Sequence, residues 1–193
     1  MNRRSGHESR KRIVDAAVKL FSQSGFNGTT MRMIAKEAGI SVGGLYLYFK
    51  NKEELSLYLI KEKLNEFYSK VLLPLKEIPS PSQALKEYFT KALEFAKENR
   101  ELIIIHAKQQ GFTFGIEIKK EFFKKEREIL KEIITRGIES REFKECEPEE
   151  VAKLLMNIIG GYVLSVVVEP ENLFKPEVCI DILLKGLLKR SNL

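Results

Sequence analysis

Three of the side chains between residues 46 and 52 stand out as groups that can bind phosphate. Tyr46 and Tyr48 offer phenol hydroxyls, and Lys52 offers an ammonium. Such groups near a helix start suit the phosphate oxygens of a nucleic acid, which position a protein on a duplex without reading its sequence. The chemistry they indicate is contact with a nucleic-acid backbone.

The residues just before them form a surface without long side chains. Val42, Gly43 and Gly44 lie on the outer face of a short predicted helix. Each helical glycine costs about 1 kcal/mol relative to alanine, so two in a row need a reason. Close approach of the backbone to DNA would be one, and an ordinary surface turn is the alternative.

The elements that carry these residues are two short helices around a tight turn. Thr30 can cap a first helix over residues 31–38, which Gly39 ends in a left-handed conformation. Ser41 can then cap a second helix over residues 42–48. The apolar positions of the first helix recur at helical spacing: Met31, Ile34, Ala35 and Ala38. This is the spacing of a helix-turn-helix.

The charge distribution supports the same interpretation. Residues 1–52 contain ten Lys or Arg and three acids, a net charge of +7, whereas residues 53–193 have a net charge of −1. A basic segment on an otherwise neutral body is typical of a nucleic-acid-binding module. Residues 2–12 either form a flexible basic arm on phosphates or the minor groove, or are disordered and idle.

The N-terminal quarter of the chain resembles the DNA-binding domain of the TetR (tetracycline-repressor) family of bacterial regulators. The residues that carry the resemblance are a helix over Arg12 to Ser24 with Gly25-Phe26, the Thr29-Thr30 pair, Ile34-Ala35, Ala38-Gly39-Ile40-Ser41, Leu45-Tyr46-Leu47-Tyr48-Phe49, Lys52 and Leu55. The resemblance implies an all-α fold, with a three-helix helix-turn-helix domain and a larger helical domain for ligand binding and dimerisation. It also implies a homodimer that represses from a palindromic operator on double-stranded DNA and is released by a small-molecule effector.

The family's contact positions can be carried onto this chain residue by residue. Its base-facing positions fall on Arg32, Val42, Gly43 and Gly44, and its phosphate-contacting positions fall on Thr30, Ser41, Tyr46 and Lys52. Arg32 is the strongest reader, because arginine can bond both major-groove acceptors of guanine. A solvated surface charge is the alternative. Since no long polar side chain stands at residues 42–44, groove shape is expected to supply part of the specificity.

We expect the DNA-binding domain to span residues 1–52 and the effector-binding and dimerisation domain residues 53–193. A helix over residues 53–73, stopped at Pro74, should link them. Further helices are predicted at 82–99, 100–110, 115–141, 148–169 and 176–190, from their apolar spacing and their Gly, Pro or charged ends.

The last two predicted helices are the expected dimer interface. The apolar run 154–168 has 15 residues, fewer than the roughly 20 that span a bilayer, so no membrane partner is expected. A subunit interface or a deep core fits better, and the resemblance implies a four-helix bundle formed with the second copy. The interface residues expected are Leu155, Ile158, Ile159, Tyr162, Val166, Leu183 and Leu187.

A ligand pocket is the least determined feature of the sequence. Aromatic and polar residues that could line it are Phe67, Tyr88, His106, Gln110, Phe112, Phe123 and Asn157. Ordinary core packing is the alternative for most of them. If they line a pocket, the effector is largely apolar and held by one or two hydrogen bonds.

The sequence contains few features that are typical of an enzyme. It has two histidines far apart, no phosphate-cradling glycine loop, no metal-ligand spacing and no nucleophile motif, so no cofactor, metal or catalytic residue is expected. An all-helical enzyme and a non-specific architectural DNA-binding protein remain as alternatives. The start of the chain is basic and polar, without the apolar stretch of a signal peptide. The two cysteines, Cys146 and Cys179, have no metal-ligand spacing and are expected to be reduced. Both features favour a cytoplasmic protein.

Overall fold

The computed structural model describes residues 3–109 and 113–187, and the regular elements within those ranges are helices. They are α1 (Arg3–Gly28), α2 (Met31–Glu37), α3 (Val42–Tyr46), α4 (Lys52–Phe67), a π-helical turn (Tyr68–Leu72), α5 (Leu73–Leu75), α6 (Pro81–Glu98), α7 (Arg100–Gln109), α8 (Ile116–Glu139), α9 (Pro148–Val168) and α10 (Pro176–Leu187). The predicted all-α class is confirmed.

The chain forms two compact units. The N-terminal unit comprises residues 1–63 and 101–116, and the C-terminal unit comprises residues 64–100 and 117–193. The division by contacts therefore differs from the predicted boundary at residue 52, which was set by the DNA-binding motif. The difference arises because the first turns of α4 and most of α7 pack with the helix-turn-helix. Leu55 and Leu59 of α4 and Ile105 of α7 are buried in its core.

The N-terminal unit is organised around α1, whose buried face includes Ile13, Ala17 and Phe21. The helices α2 and α3 contribute Ile34 and Leu45 to the same core, and both side chains are fully buried. This small core fixes the two short helices, which by themselves are too short to be stable in water.

The helix α1 is longer than predicted and changes direction at its end. It begins at Arg3 rather than Arg12, and Gly25 interrupts it with φ 73° and ψ 167°. Only glycine adopts that conformation without strain. The fully buried Thr29 donates its hydroxyl to the Gly25 carbonyl at 2.7 Å. The break thereby directs the chain into α2, and the Gly25 carbonyl, which loses its helical partner at the break, accepts from Thr29 instead.

The predicted helix over residues 53–73 is confirmed in outline but not at its end. The helical path continues through the π-helical turn into α5, and Pro74 lies in the first turn of α5 instead of stopping the helix. Proline is tolerated there because a first-turn amide needs no helical partner. Residues 63 and 64 of α4 are the boundary between the two units, so one helix belongs to both.

The C-terminal unit is built on α6, which contacts both α9 and α10. Its fully buried side chains include Leu85, Tyr88, Phe89 and Leu93. From α8, Leu130, Ile133 and Ile134 join this core. The strong apolar face of α6 begins at Pro81, with Ser80 as its N-cap.

The helix α9 corrects two sequence-based expectations. It has 21 residues, long and apolar enough by composition to cross a membrane, so the 15-residue argument against a span does not hold. Within the C-terminal unit it packs instead as one helix of a bundle, against α6.

The second correction concerns the predicted interface face. Leu155, Ile159, Tyr162 and Val166 are at most 7% exposed in the single chain, so they belong to its own core. The exposed apolar side chains lie on the other face of α9 and on α10: Leu154, Leu164, Val168, Val178 and Ile182. We call this set the α9–α10 apolar face. Because α9 is apolar on all sides, periodicity could not tell which face points inward.

Of the remaining predicted interface residues, Ile158, Leu183 and Leu187 are half-buried. They are therefore partly covered within the single chain and partly available to a second copy.

Candidate nucleic-acid interface and effector core

Side-chain caps fix the start of both helices of the motif. The Thr30 hydroxyl accepts a hydrogen bond from the Met33 amide at 3.2 Å, and the Ser41 hydroxyl accepts one from the Gly44 amide at 3.0 Å. Both predicted caps are confirmed. Since each hydroxyl uses only an acceptor site here, its O–H remains able to donate to a phosphate oxygen.

The turn between α2 and α3 has the expected left-handed residue. Gly39 has φ 64°, and the Ile40 amide donates to the Ala35 carbonyl at 3.0 Å. The end of α2 is therefore closed as a glycine-terminated helix. The turn leads to Ser41 and α3, so its geometry sets where α3 lies.

Most of the predicted DNA contacts line one open cleft in the N-terminal unit. Thr30, Arg32, Val42, Tyr46 and Lys52 share it with Asn27, Lys50 and Asn51, which sequence reasoning missed. The sequence did contain a signal for Lys50 and Asn51, because they form a polar and basic run with Lys52 at the start of α4. The cleft brings together three cations, several hydroxyls and two amides, which is the chemistry that phosphate and base edges require.

The two tyrosines of the motif have different environments. Tyr46 is 50% exposed and lines the cleft. The Tyr48 hydroxyl is buried, with no hydrogen-bond partner among the described residues, and its ring packs against the N-terminal core. The geometry thus favours Tyr46 as a phosphate contact. The role of Tyr48 in DNA binding stays a prediction, which this conformation does not support.

Lys52 has structural partners in addition to its place in the cleft. Its ammonium donates to the Phe26 carbonyl at 2.6 Å and lies 4.5 Å from the centroid of the Phe26 ring. An ammonium has three donors, so one bond to a carbonyl leaves others for phosphate. Lys52 therefore joins the start of α4 to the end of α1 at the edge of the cleft.

The glycines of α3 are not both required by the protein's own packing. A Cβ atom on Gly43 would meet nothing within 4 Å, whereas one on Gly44 would lie 3.0 Å from the Ser41 hydroxyl oxygen. Gly44 thus makes room for the cap. Packing among the described residues does not require a glycine at position 43.

The predicted flexible basic arm is not what the structure shows. Residues from Arg3 onward are helical, and Arg10 and Arg12 contact the body of the N-terminal unit. The Arg10 guanidinium lies 5.4 Å from the ring centroid of Tyr58 and 5.9 Å from those of Tyr48 and Phe49. Cations are held over aromatic faces by electrostatic attraction to the rings.

The predicted ligand residues separate into buried and exposed groups. Phe67 and Tyr88 are buried, while Phe123 is 48% exposed and Asn157 on α9 is exposed. The side chain of His106 and the residues Gln110 and Phe112 lie outside what the structure describes.

An aromatic cluster connects the buried members of this set. The Phe67 ring meets the rings of Phe95 and Phe122 edge to face, at 5.2 and 5.6 Å between centroids. One turn beyond Phe122 on α8, Glu126 accepts a hydrogen bond from Tyr88 at 2.9 Å. We call these five residues the effector core, after the ligand-binding role predicted for Phe67 and Tyr88. It lies entirely in the C-terminal unit.

Glu126 is the polar residue of this core that sequence reasoning missed. Burial raises the pKa of its carboxyl from 4.5 to about 7, and the hydrogen bond from Tyr88 acts in the opposite direction. The signal was present in the sequence, because Glu126 shares an apolar helical stripe with Phe122, Ile129 and Leu130. No group of metal-ligating side chains occurs among the described residues.

Comparison with known proteins identifies this architecture. Residues 13–59 match the model of the bacterial regulatory proteins of the tetR family. The fatty acid metabolism regulator protein of Bacillus subtilis (strain 168) is 33% identical over 136 residues, which are 69% of this chain and 70% of that protein. The HTH-type transcriptional regulator YhgD of the same organism is 35% identical over 159 residues, covering 78% and 80% of the two chains.

A solved structure agrees over most of the chain. The transcriptional regulator FadR from Bacillus subtilis in complex with stearoyl-CoA is 27% identical, with a TM-score of 0.74, and the match covers 93% of this chain and 97% of that one. The fold and the cleft define a helix-turn-helix DNA-binding protein. More specifically, the chain belongs to the tetR family of bacterial regulatory proteins.

Membership confirms the predicted class of function. The chain is a DNA-binding transcriptional regulator, and its partners are those of the family: operator DNA, a second copy of itself and a small-molecule effector. Its relatives are bacterial transcriptional regulators, which is consistent with the predicted cytoplasmic location.

Proposed function

We propose that this chain recognises its operator through the cleft of the N-terminal unit, with Arg32 as the base reader. The supporting observation is that Thr30, Arg32, Val42, Tyr46 and Lys52 line one cleft although they come from three helices and their caps. Arg32 is exposed on α2 and can reach a guanine edge, whereas Val42 can only touch a thymine methyl. Thr30, Ser41, Tyr46 and Lys52 would hold the phosphates on either side.

In this arrangement Gly43 allows α3 to lie against the DNA. A glycine here costs the helix about 1 kcal/mol relative to alanine, and packing within the chain does not require it. A Cβ at this position would point from an exposed face into the space that the duplex occupies. Groove shape would then contribute to specificity alongside Arg32.

The two-fold assembly would use the α9–α10 apolar face. Val168 and Ile182 are each 64% exposed in the single chain, and an exposed apolar patch is typical of an interaction surface. Two copies joined through these helices would present two reading helices, so the operator would be an inverted repeat.

For the effector we propose a fatty acyl-CoA thioester. The support comes from the relatives: one is named for fatty acid metabolism and another was solved with stearoyl-CoA. The apolar rings of the effector core suit an acyl chain. Binding there would release the dimer from its operator, with α4, which belongs to both units, as the mechanical link.

The DNA-binding part of the proposal is tested with a duplex selected from a random pool by the wild-type protein, and with a scrambled duplex of equal composition. Arg32→Ala should lower affinity for the selected duplex by about 1 to 3 kcal/mol and leave scrambled DNA nearly unchanged. Lys36→Ala is the matched control, because Lys36 is an exposed cation on the same helix outside the cleft. Equal losses from both variants would contradict a reading role for Arg32.

The same titration separates the alternative functions. A wild-type preference below about tenfold for the selected duplex would favour a non-specific architectural DNA-binding protein, since specific binders exceed random DNA by about a thousandfold or more. We assign no catalytic step to the chain.

The effector part is tested by displacement from the selected duplex. Stearoyl-CoA should release the protein from the duplex, whereas free coenzyme A and free stearate should do so only at much higher concentration. Release by free coenzyme A at the same concentration would contradict the role of the acyl chain. Release by none of the three would remove the proposed effector class while leaving the DNA-binding function intact.

A further inference from the structure

The side chain of Arg12 closes the turn of the helix-turn-helix from the side of α1. Its Nε donates to the Ala38 carbonyl at 2.9 Å, and its Nη2 donates to the same carbonyl at 2.5 Å and to the Gly39 carbonyl at 2.8 Å. Three hydrogen bonds therefore join one guanidinium to two successive carbonyls that lie 26 and 27 residues further along the chain.

The carbonyls at this point have a physical need for a donor. The last carbonyls of a helix have no partner within the helix, and the helix end carries partial negative charge. Within the turn, the amides of Gly39 and Ile40 already bond back to Lys36 and Ala35. The carbonyls of Ala38 and Gly39 accept instead from the guanidinium of Arg12, a rigid cationic fork that satisfies both of them.

The turn also shows how closely Arg12 is fitted. A Cβ on Gly39 would lie 3.3 Å from the Arg12 Nη2, so the missing side chain makes room for the guanidinium as well as allowing φ 64°. Ser41, the N-cap of α3, follows two residues after Gly39. Holding these carbonyls thus fixes the point from which the reading helix starts.

We propose that Arg12 is a positioning residue for operator recognition, which locks the α2–α3 turn to α1 and thereby sets the angle at which α3 meets DNA. The inference rests on the proposed DNA-binding function and extends it to a residue outside the cleft. It differs from the role that sequence position suggests for Arg12, namely a phosphate contact in a basic arm. A guanidinium with Nε and Nη2 engaged on backbone carbonyls is turned toward the protein.

The first test is amide hydrogen exchange in the full-length protein without DNA. Arg12→Gln should speed exchange of the Gly39 and Ile40 amides about tenfold or more, because their hydrogen bonds form the turn that Arg12 holds. Lys11→Gln is the matched control. Lys11 is exposed, has no hydrogen bond or ion pair with residues that the structure describes, and loses the same charge. In the Lys11→Gln variant, the amides of Gly39 and Ile40 should exchange as in the wild type.

The second test measures binding of the same variants to the selected and the scrambled duplex over a range of salt concentrations. Arg12→Gln should reduce the preference for the selected duplex about tenfold and leave the slope of affinity against salt unchanged. A phosphate contact would instead weaken both duplexes and lower the slope by about one. That second pattern, or unchanged exchange at the turn, would overturn the proposal.

Arg12→Lys keeps the proposal testable if the glutamine variant folds poorly. Lysine retains the charge but offers one nitrogen in place of the fork, so exchange at the turn should stay faster than in the wild type and the preference should recover only in part. Full recovery of the preference with fast turn exchange would show that charge alone matters, and would overturn it. If the wild type itself shows no preference, the DNA-binding proposal fails, whereas the exchange result still decides whether Arg12 holds the turn.

Discussion

The phenol hydroxyl of Tyr88 on α6 donates a 2.9 Å hydrogen bond to the carboxyl of Glu126 on α8, and both side chains are buried. Burial is the main reason that the pKa of Glu126 rises to about 7, and burial also raises the pKa of Tyr88 well above its usual range. A buried carboxyl with one neutral partner is easier to keep in its protonated form. The effector core therefore contains a group that changes its charge near neutral pH.

The stability of the C-terminal unit should depend on this carboxyl. Because its pKa is about 7 in the folded chain and 4.5 when unperturbed, the folded state holds the proton more tightly. The contribution of this carboxyl to the free energy of unfolding is then greatest below pH 4.5. It is lost as the pH rises toward and through 7. Between pH 5.5 and pH 8 the wild type should lose about 2 kcal/mol of unfolding free energy from Glu126 alone.

Chemical denaturation at fixed protein concentration checks this prediction. Glu126→Gln should remove most of the difference between the two pH values, because glutamine keeps the shape and does not ionise. Glu128→Gln, an exposed residue on the same helix, serves as the control and should keep the wild-type pH dependence. A Glu126→Gln profile that still follows the wild type would show that the carboxyl does not titrate between pH 5.5 and pH 8 in the folded chain.

The contrast between Glu126 and the helix-turn-helix shows what sequence reasoning can reach. The motif was predictable almost residue by residue, because its caps, its left-handed glycine and its short apolar stripe are local signals. The polar partner of Tyr88 was not, since it lies 38 positions away on another helix. The sequence indicated only that Glu126 is an acid within an apolar helical stripe.

Gly43→Ala should separate stability from function. An alanine in the open space on α3 should raise the unfolding free energy of the N-terminal unit by up to about 1 kcal/mol. The same methyl group should weaken binding to the selected duplex at least tenfold, if α3 lies against the DNA as proposed. Unfolding and duplex titrations of one preparation measure both effects.

A second helical glycine provides the comparison for this variant. Gly6 lies in α1, and a Cβ there also meets nothing within 4 Å. Gly6→Ala should bring a similar gain in stability with duplex affinity unchanged. Undiminished affinity in Gly43→Ala would mean that α3 does not approach the DNA closely at this point.

Ile182→Glu should convert the dimer into folded monomers. The side chain is 64% exposed in the single chain, so the fold tolerates the charge, while an apolar interface would have to bury it unpaired. Light scattering should show the mass of one chain with unchanged helix content by circular dichroism. Affinity for the inverted-repeat duplex should fall with the loss of the second reading helix.

Ile180→Ala is the partner experiment on the same helix. Ile180 is 8% exposed and belongs to the core, so its truncation should lower stability by about 2 to 5 kcal/mol, without directly removing interface surface. A dimeric Ile182→Glu protein would place the subunit contact elsewhere than on the α9–α10 apolar face.

The two faces of α9 mark the limit of pattern reading in the C-terminal unit. The sequence indicates a helix that is buried all round, whereas in the single chain only one face of α9 is buried. Telling the buried Leu155 from the exposed Leu154 requires the position of α6, against which one face of α9 packs. Length, helix order and the apolar character of α9 followed from the sequence, whereas the orientation did not.

The adjacent threonines before α2 should respond differently to the same substitution: both variants lose stability, but only one loses duplex affinity. Thr29 is fully buried and donates its hydroxyl to the carbonyls of Gly25 and Leu20 at 2.7 and 3.2 Å. Thr29→Val keeps the volume and leaves those carbonyls without that donor, so stability should fall by about 1 to 3 kcal/mol. The salt dependence of duplex binding should not change, because this hydroxyl is buried and already donates to backbone carbonyls.

Thr30→Val instead removes an exposed cap. Loss of the bond from the Met33 amide should cost about 1 kcal/mol, less than the change at Thr29. Duplex affinity should also fall, because Thr30 lines the cleft, where its hydroxyl would donate a hydrogen bond to a phosphate oxygen. Thermal unfolding and duplex titration of the two variants side by side measure this. A larger loss of duplex affinity from Thr29→Val than from Thr30→Val would show that the cleft binds DNA through its shape rather than through the Thr30 hydroxyl.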